Sequence, residues 1–143
     1  MGTRSLTTFI DNFDNKEIVV MYRQMDGYPK GHGIDLLEFL QGMDVVNGLP
    51  VGRSDASLAN GMSCLAAQVI SHFKQGAGEF YLHTANTRDY GEEYIYTIYV
   101  NKINELSVKV SDVYCERNIF DGNIKAMRKW LKQRKEIRIN EEV

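Results

Sequence analysis

Residues 58–74 read LANGMSCLAAQVISHFK, and this stretch carries the clearest helical pattern of the chain. Its apolar side chains recur every three or four positions, which places them along one face of a helix. They are Leu58, Met62, Leu65, Ala66, Val69 and Phe73. Gly76 and Gly78 follow, and glycine commonly ends a helix. The pattern therefore predicts a helix over residues 58–74 that buries Leu65 and Val69.

Segments typical of β-strands lie on both sides of this helix. Residues 3–11 and 18–26 are rich in β-branched and apolar side chains, and the turn-forming residues between them predict a hairpin. Three further segments, residues 79–84, 93–101 and 106–114, are separated by connections short enough for an antiparallel meander. We expect the hairpin and the meander to share one antiparallel or mixed sheet of about five strands.

Two further helices are predicted. The first follows residues 27–33, whose proline and glycines argue against regular structure, and the second follows residues 121–123. Apolar side chains at helical spacing identify them: Leu36, Phe39, Leu40 and Met43 in the first, and Ile124, Met127, Trp130 and Leu131 in the second. The predicted order is ββ-αα-βββ-α, an α+β fold with the helices on one face of the sheet.

The chain has the composition of an ordinary globular protein. We expect a single domain over residues 1–143, and the 43% hydrophobic and 25% charged residues argue against disorder. The formal net charge of −2 excludes a whole-molecule attraction to nucleic acid or anionic lipid. Apolar runs are too short for a transmembrane helix or a signal peptide, so we expect a soluble, cytoplasmic protein without membrane association. Cys64 and Cys115 lack metal-type spacing and are expected to be free thiols.

Residues 22–33 read YRQMDGYPKGHG and gather the densest set of ligand-type side chains in the chain. Glycines before a helix allow backbone N–H groups and the helix dipole to approach an anion. Arg23 offers a bidentate contact to phosphate, while Tyr22 or Tyr28 offers a ring on which a base can stack. The alternative is a tight strand-to-helix connection with Tyr28 packed on the core, in which Asp35 would repel an incoming anion.

The same region resembles a known group of proteins. The opening GTRSL (residues 2–6), the segment YRQMDGYP (residues 22–29) and the GHG that follows (residues 31–33) are similar to a family of small, mostly uncharacterised proteins of bacteriophages and prophages. The resemblance covers roughly the first quarter of the chain. It implies a viral accessory protein, of a kind that often counters host defence, and it implies no catalytic residues. It also adds Arg4 to the residues of interest.

These observations favour a non-enzymatic accessory protein that binds and sequesters a small anionic ligand, with a nucleotide signal of the host as the concrete expectation. The predicted ligand-binding residues are Arg4, Tyr22, Arg23, Gln24, Asp26, Tyr28, Gly31, His32 and Gly33. Arg4 and Arg23 would neutralise phosphate, while Gln24 and Asp26 would hydrogen-bond polar edges of the ligand. Arg23 is either ligand-facing, which we expect, or buried with a carboxylate partner.

Two alternatives stay open. In one, the protein is an inhibitor or adaptor that binds a host protein and needs no ligand pocket. In the other, it cleaves a nucleotide with His32 as acid or base. The histidines at positions 32, 72 and 83 lack metal-ligand spacing, and no nucleophile elbow, P-loop or dinucleotide fingerprint occurs. We therefore assign no cofactor, metal ligand or catalytic residue. A homo-oligomer is expected, because a domain of this size encloses a ligand more easily at an interface.

Two other segments carry charge. Residues 125–138 hold one acid, Glu136, and these basic side chains: Lys125, Arg128, Lys129, Lys132, Arg134, Lys135 and Arg138. A basic helix can hold phosphates, but such a run is more often a solvated face, so nucleic-acid binding through it is an alternative that we do not favour. Residues 84–90, with Arg88 and Tyr90, resemble the glycine-rich segment in chemistry and are typical of a hairpin loop.

Overall fold

The computed structural model describes residues 2–50, 52 and 55–134. This part of the chain contains eight strands and three α-helices. In chain order they are β1 (Ser5–Ile10), β2 (Glu17–Arg23), α1 (Ile34–Leu40), β3 (Asp44–Val46), β4 (Leu58–Asn60), α2 (Gly61–Phe73), β5 (Phe80–Thr84), β6 (Tyr94–Val100), β7 (Leu106–Asp112), β8 (Arg117–Asn123) and α3 (Ile124–Gln133). They form an α+β fold, as the sequence predicts.

Six strands form one mixed sheet in the order β5-β2-β1-β6-β7-β8. Neighbouring strands run antiparallel except for β1 and β6, which run parallel with Phe9 opposite Ile98. The predicted hairpin of β1 and β2 is confirmed, and it lies in the same sheet as the later strands. A separate parallel pair, β3 and β4, is not apparent from the sequence.

The order of the later strands differs from the prediction. The sequence places β5 beside β6 in a meander, but in the structure β5 pairs with β2 at one edge of the sheet. The meander instead contains β6, β7 and β8, and β8 includes residues 121–123, for which the sequence predicts only a helix start. As an edge strand with the sequence RNIFDGN, β8 carries polar residues that hide its strand pattern.

The helices pack on one face of the large sheet and enclose the core. The helix prediction for residues 58–74 is confirmed by α2, and Leu65 and Val69 are fully buried. The helix begins only at Gly61, because Leu58–Asn60 forms β4 and Gly61 adopts φ +82°, a conformation that favours glycine. Side chains of the sheet complete the core: Phe9, Met21, Tyr96, Ile98, Val108 and Val110.

The segment before α1 is regular, contrary to the prediction for residues 27–33. Pro29–Gly33 forms a π-helical turn that continues into α1, and the Ile34 N–H donates to the carbonyls of Pro29 and Gly31. Proline suits the first turn of a helix because its missing N–H would have no helical partner there. The chain therefore passes from the end of β2 to α1 through a compact turn rather than an open loop.

Helix α3 packs against the sheet with the apolar face that the sequence predicts. Met127 and Leu131 are buried, and Trp130 is partly buried against the core. The side-chain oxygen of Asn123 accepts a 2.8 Å hydrogen bond from the N–H of Ala126 and caps the helix. Helix α3 thus begins where β8 ends, and the same asparagine terminates one element and starts the next.

The basic side chains of α3 face mainly solvent. The exposed ones are Lys125, Arg128, Lys129 and Lys132, whereas Lys135 and Arg138 lie outside the described residues. Arg134 lies 5.2 Å from the ring centre of Trp130, so its charge is stacked on an aromatic face. Across residues 2–50, 52 and 55–134, no helix is long and apolar enough to span a lipid bilayer. Cys64 and Cys115 are free thiols, as predicted.

Candidate functional site

Strand β2 sends the predicted site residues to opposite faces of the sheet. Side chains alternate along the strand, so Arg23 points toward the helices together with Met21, whereas Tyr22 points to the other face. We call this other face, which no described helix covers, the open face. The nine predicted ligand-binding residues therefore do not form one site. They divide into a buried cluster, a packed glycine segment and part of the open face.

On the helix side, Arg23 is buried, with 7% of its surface exposed, and is held by two carboxylates. Its Nη1 donates to Asp35 Oδ2 at 2.8 Å, and its Nη2 lies 3.4 Å from Glu79 Oε2. The guanidinium also lies 5.1 Å from the ring centre of Phe80. This is the buried, carboxylate-paired arrangement and not the ligand-facing one that we expect from the sequence. An arginine enclosed to this degree requires a partner for its charge.

His32 connects this ion pair to strand β1. Arginine is only a donor, so Arg23 Nη1 donates to His32 Nδ1 at 3.1 Å. The other ring nitrogen, Nε2, then carries the proton and donates to Thr7 Oγ1 at 2.6 Å. Burial, and secondly the charge of Arg23, lower the pKa of His32 well below its usual value, so the ring is neutral.

This environment leaves His32 no surface at which it could contact a ligand, unlike the ligand-binding role that the sequence suggests. The residue has no exposed surface, and both ring nitrogens are engaged inside the protein. A catalytic acid or base must come within hydrogen-bond reach of its substrate. In this structure His32 does not meet that condition, because the ring of Tyr96 lies 4.8 Å from its own and that of Phe73 lies 5.3 Å away.

The glycine segment is a packed connection rather than a cradle for an anion. A Cβ at Gly27 would lie 2.7 Å from Ser5 Cβ, so β1 leaves no room for a side chain. A Cβ at Gly31 would lie 2.5 Å from the carbonyl oxygen of Asp26. The Gly31 N–H already donates to the Tyr28 carbonyl at 2.8 Å and is not directed at a ligand. These glycines therefore permit close packing, as in the alternative reading of the sequence.

The remaining predicted residues of this segment differ in accessibility. Gln24 and Asp26 are exposed, and Tyr28 is half-buried with its hydroxyl 3.5 Å from an Asp26 carboxylate oxygen. Gly33 is buried at the start of α1, where a Cβ would meet nothing closer than 3.4 Å, from Leu131. Gln24, Asp26 and Tyr28 thus stay within reach of solvent beyond the end of β2.

The open face carries a cluster of four aromatic rings, Tyr22, Tyr81, His83 and Tyr90, which we call the aromatic surface. Tyr22 and Tyr81 are directly opposite each other on β2 and β5, and His83 follows two residues later on β5. The ring centre of Tyr22 lies 6.0 Å from that of Tyr81 and 6.1 Å from that of Tyr90. His83 and Tyr90 are 4.1 Å apart. Tyr81 and Tyr90 remain 46% and 47% exposed, so the cluster presents aromatic area to solvent.

Arg4 borders the aromatic surface. A Cβ built at Gly91 would lie 2.8 Å from Arg4 Nη1, which places the guanidinium against the residue that follows Tyr90. Among the residues that the structure describes, no carboxylate forms a salt bridge with Arg4. Its charge is therefore available to an anion, in contrast to that of Arg23.

Ion pairing fixes the loop that carries Tyr90. Arg88 forms a bidentate pair with Glu17, at 2.8 Å to Oε1 and 3.1 Å to Oε2. The hydrogen bond to Glu17 is the largest cause of a raised pKa for Arg88, so this arginine is committed to an internal partner. The carboxylate of Glu92 accepts from the Asp89 and Tyr90 N–H groups at 3.1 and 2.7 Å. Tyr90 is thus held in place rather than carried on a loose hairpin loop.

Tyr81 and His83 are absent from the predicted site, although the sequence contains a signal for them. They occupy alternate positions of β5, and a strand with that pattern places both on one face. Their proximity to Tyr22 follows from the pairing of β5 with β2, which the sequence does not predict. Within the described residues, no group of His, Cys, Asp and Glu is arranged to hold a metal ion. Comparisons of the chain with family models, curated proteins and solved structures gave no match.

Proposed function

We propose that the protein binds and sequesters a nucleotide on the aromatic surface, with Arg4 as the phosphate-binding residue. The observation that carries the proposal is the arrangement of four rings, two of them about half exposed, beside an arginine without a described carboxylate partner. Bases stack on aromatic side chains with about 1–3 kcal/mol per base. Arginine forms charge-assisted, often bidentate hydrogen bonds to phosphate.

The fixed position of Tyr90 favours the stacking of a rigid, flat ligand such as a base. The pair of Arg88 with Glu17 and the contacts of Glu92 fix Tyr90, so little conformational freedom is lost when a base stacks there. Tyr22 is also held in place, because the next residue on its strand is the buried, ion-paired Arg23. Arg23 and His32 thus support the site without contacting the ligand.

The resemblance of the N-terminal part to phage proteins gives the proposal its biological form. A viral accessory protein of this kind would remove a nucleotide signal of the host defence by holding it intact. Sequestration is the form we propose because His32, the residue with the best chemistry for cleavage, is enclosed between Arg23 and Thr7. A homo-oligomer is part of the proposal, since a second copy beside the edge strand β5 would cover the exposed side of the bound base.

Incubation with a panel of nucleotides tests the proposal. The protein is separated from free ligand by gel filtration, denatured by heat, and the released compounds are identified by chromatography and mass spectrometry. Intact nucleotide in the protein fraction supports sequestration. Altered nucleotide means that the protein is an enzyme, and the absence of any bound nucleotide removes the proposal.

Matched variants locate the site. Tyr90→Ala and Arg4→Gln should each lower affinity for the nucleotide, because one removes a stacking ring and the other the phosphate contact. Tyr114→Ala and Arg117→Gln are the controls, since both residues are exposed and lie at the turn between β7 and β8. An equal loss in a control variant would place the nucleotide elsewhere.

A protein partner is the second candidate, and exposed apolar side chains at the β5 edge of the sheet favour it. Leu82, on the edge strand opposite Met21 and therefore on the helix side, is 54% exposed, and Met25, just beyond β2, is 51% exposed. This additional apolar area is not needed to bind a nucleotide, whereas a protein interface would bury it. Leu82→Glu should abolish binding of such a partner and leave nucleotide affinity unchanged, so one variant separates the two candidates.

A further inference from the structure

A second concave region lies on the open face, away from the aromatic surface. It is a groove of 340 Å³ between the β1–β2 turn and strands β6 to β8. Thr97, Lys109 and Asp121 form its floor, because strand register places them side by side in one row across three strands. The lining as a whole comprises Ile10, Asp11, Asn12, Asn15, Thr97, Tyr99, Val100, Lys109 and Asp121.

The polar groups of the groove are only partly engaged with one another. The hydroxyl of Tyr99 donates to Asp121 Oδ1, and burial together with Asp121 raises the pKa of Tyr99 to about 12, so the hydroxyl keeps its proton. Lys109 stands beside Asp121 in the register but forms no salt bridge with any described residue. Within the same part of the chain, the side-chain amides of Asn12 and Asn15 accept and donate no hydrogen bond.

The charges in the groove oppose a strongly ionic ligand of either sign. The carboxylates of Asp11 and Asp121 outnumber the ammonium of Lys109, which disfavours phosphate, while the ammonium disfavours a cation. Amide, ammonium and carboxylate groups together supply both donors and acceptors. Each hydroxyl of a sugar also donates and accepts, and the apolar side chains of Ile10 and Val100 can contact its C–H groups. We propose that this groove binds a sugar or another polyol.

The groove is separate from the proposed nucleotide site. His83, Val20, Thr8, Thr97 and Lys109 follow one another across five adjacent strands. With about 4.8 Å between neighbouring strands, His83 and Lys109 are about 19 Å apart. A ligand in the groove therefore does not touch the aromatic surface, and the two proposals fail independently.

Backbone amide shifts in ¹H–¹⁵N NMR spectra test the inference. The probes are glucose, ribose, myo-inositol and maltohexaose, with inorganic phosphate as the ionic comparison. We expect saturable shifts at Thr97, Lys109 and Asp121 with at least one hydroxyl-rich probe and none with phosphate. Stronger binding of maltohexaose than of glucose would support a glycan as the natural source, and equal or weaker binding would support a free sugar. Absence of saturable shifts with all four polyols, or shifts with phosphate alone, would overturn the proposal.

Variants confirm the location. Lys109→Ala should weaken binding of the responding probe about tenfold, since a hydrogen bond to a charged group is lost. Asn12→Ala serves as a second variant in the exposed turn, where a folding defect is not expected. Lys102→Ala is the matched control, because Lys102 is an exposed lysine outside the groove. Unchanged affinity in both Lys109→Ala and Asn12→Ala, with the fold intact, would also overturn the assignment.

Discussion

Two arginines that the sequence assigns to one site, Arg23 and Arg4, have opposite surroundings. Arg23 is buried on the helix side and is held by Asp35, Glu79 and His32. Arg4 lies on the open face beside the aromatic surface and pairs with no described carboxylate. The first arginine has its binding partners inside the protein, whereas the second has a charge without one. Whether an arginine near a glycine-rich segment can bind a ligand therefore depends on whether the protein already supplies a partner for its charge.

The comparison predicts a large loss of stability for Arg23→Ala. The variant leaves Asp35 and Glu79 without their counter-ion and removes the donor to His32, and disruption of a buried pair typically costs about 3–5 kcal/mol. We expect the free energy of unfolding, measured with urea, to fall by about 3 kcal/mol. The loss lies at the lower end of that range because Asp35 and Glu79 are 42% and 44% exposed and regain water. A folded variant of unchanged stability that has lost nucleotide binding would instead show that Arg23 faces the ligand.

Gly31→Ala tests whether the glycine segment packs or binds. The new Cβ would lie 2.5 Å from the Asp26 carbonyl oxygen, and overpacking of this kind costs about 1–3 kcal/mol of the free energy of unfolding. Gly33→Ala is the matched control, because its nearest neighbour is at 3.4 Å and alanine favours a helix. We expect urea denaturation to separate the two variants while nucleotide affinity stays equal. Selective loss of affinity in Gly31→Ala would restore the anion-binding interpretation.

Much of the fold was predictable because its signals are local. The stripe from Met62 to Phe73 requires only helical periodicity, and the hairpin of β1 and β2 requires only a turn between two apolar segments. The place of β5 was not predictable in this way. Its pairing with β2 joins residues about sixty positions apart, and nothing within residues 80–84 specifies that partner.

The candidate site was predictable only in part for the same reason. Composition draws attention to residues 22–33, but alternation along β2 sends Tyr22 and Arg23 to opposite faces. Which face binds a ligand depends on what each side chain meets across the sheet, and those partners, Asp35 and Tyr81, come from other elements. Residue type thus identified candidates, while tertiary contacts distinguish scaffold from surface.

Acid pH should lower the stability contributed by the buried cluster of Arg23 and His32. The folded protein holds His32 neutral, so its pKa there lies below that in the unfolded chain, which takes up a proton at about pH 6.5. Stability contributed by this residue is therefore present above about pH 6.5 and falls as the pH decreases, by up to about 1.4 kcal/mol per pH unit. The ring faces Arg23, Thr7 and the rings of Tyr96 and Phe73, and the charge of Arg23 at Nδ1 opposes a second positive charge there.

His32→Gln provides the comparison for this pH dependence. Glutamine keeps an acceptor for Arg23 and a donor for Thr7 but does not titrate. Urea denaturation of wild type and variant between neutral pH and pH 5 should give a steeper loss of stability in the wild type. Equal slopes would mean that His32 does not titrate differently in the folded and unfolded states.

Arg4→Gln should have the smallest effect on stability and thereby complete the contrast with Arg23→Ala. Arg4 forms no described salt bridge, so its replacement should change the free energy of unfolding by no more than about 0.5 kcal/mol, as is usual for surface residues. Affinity for the nucleotide should nevertheless fall by about 1.5–3 kcal/mol, the typical value of a hydrogen bond to a charged group. Urea denaturation and calorimetric titration of the same preparation measure both quantities. Arg4→Lys should recover part of the affinity, because it restores the charge without the bidentate geometry of the guanidinium. If Arg4→Gln binds the nucleotide as tightly as the wild type, the aromatic surface acts without Arg4, and the phosphate of the ligand must contact another residue.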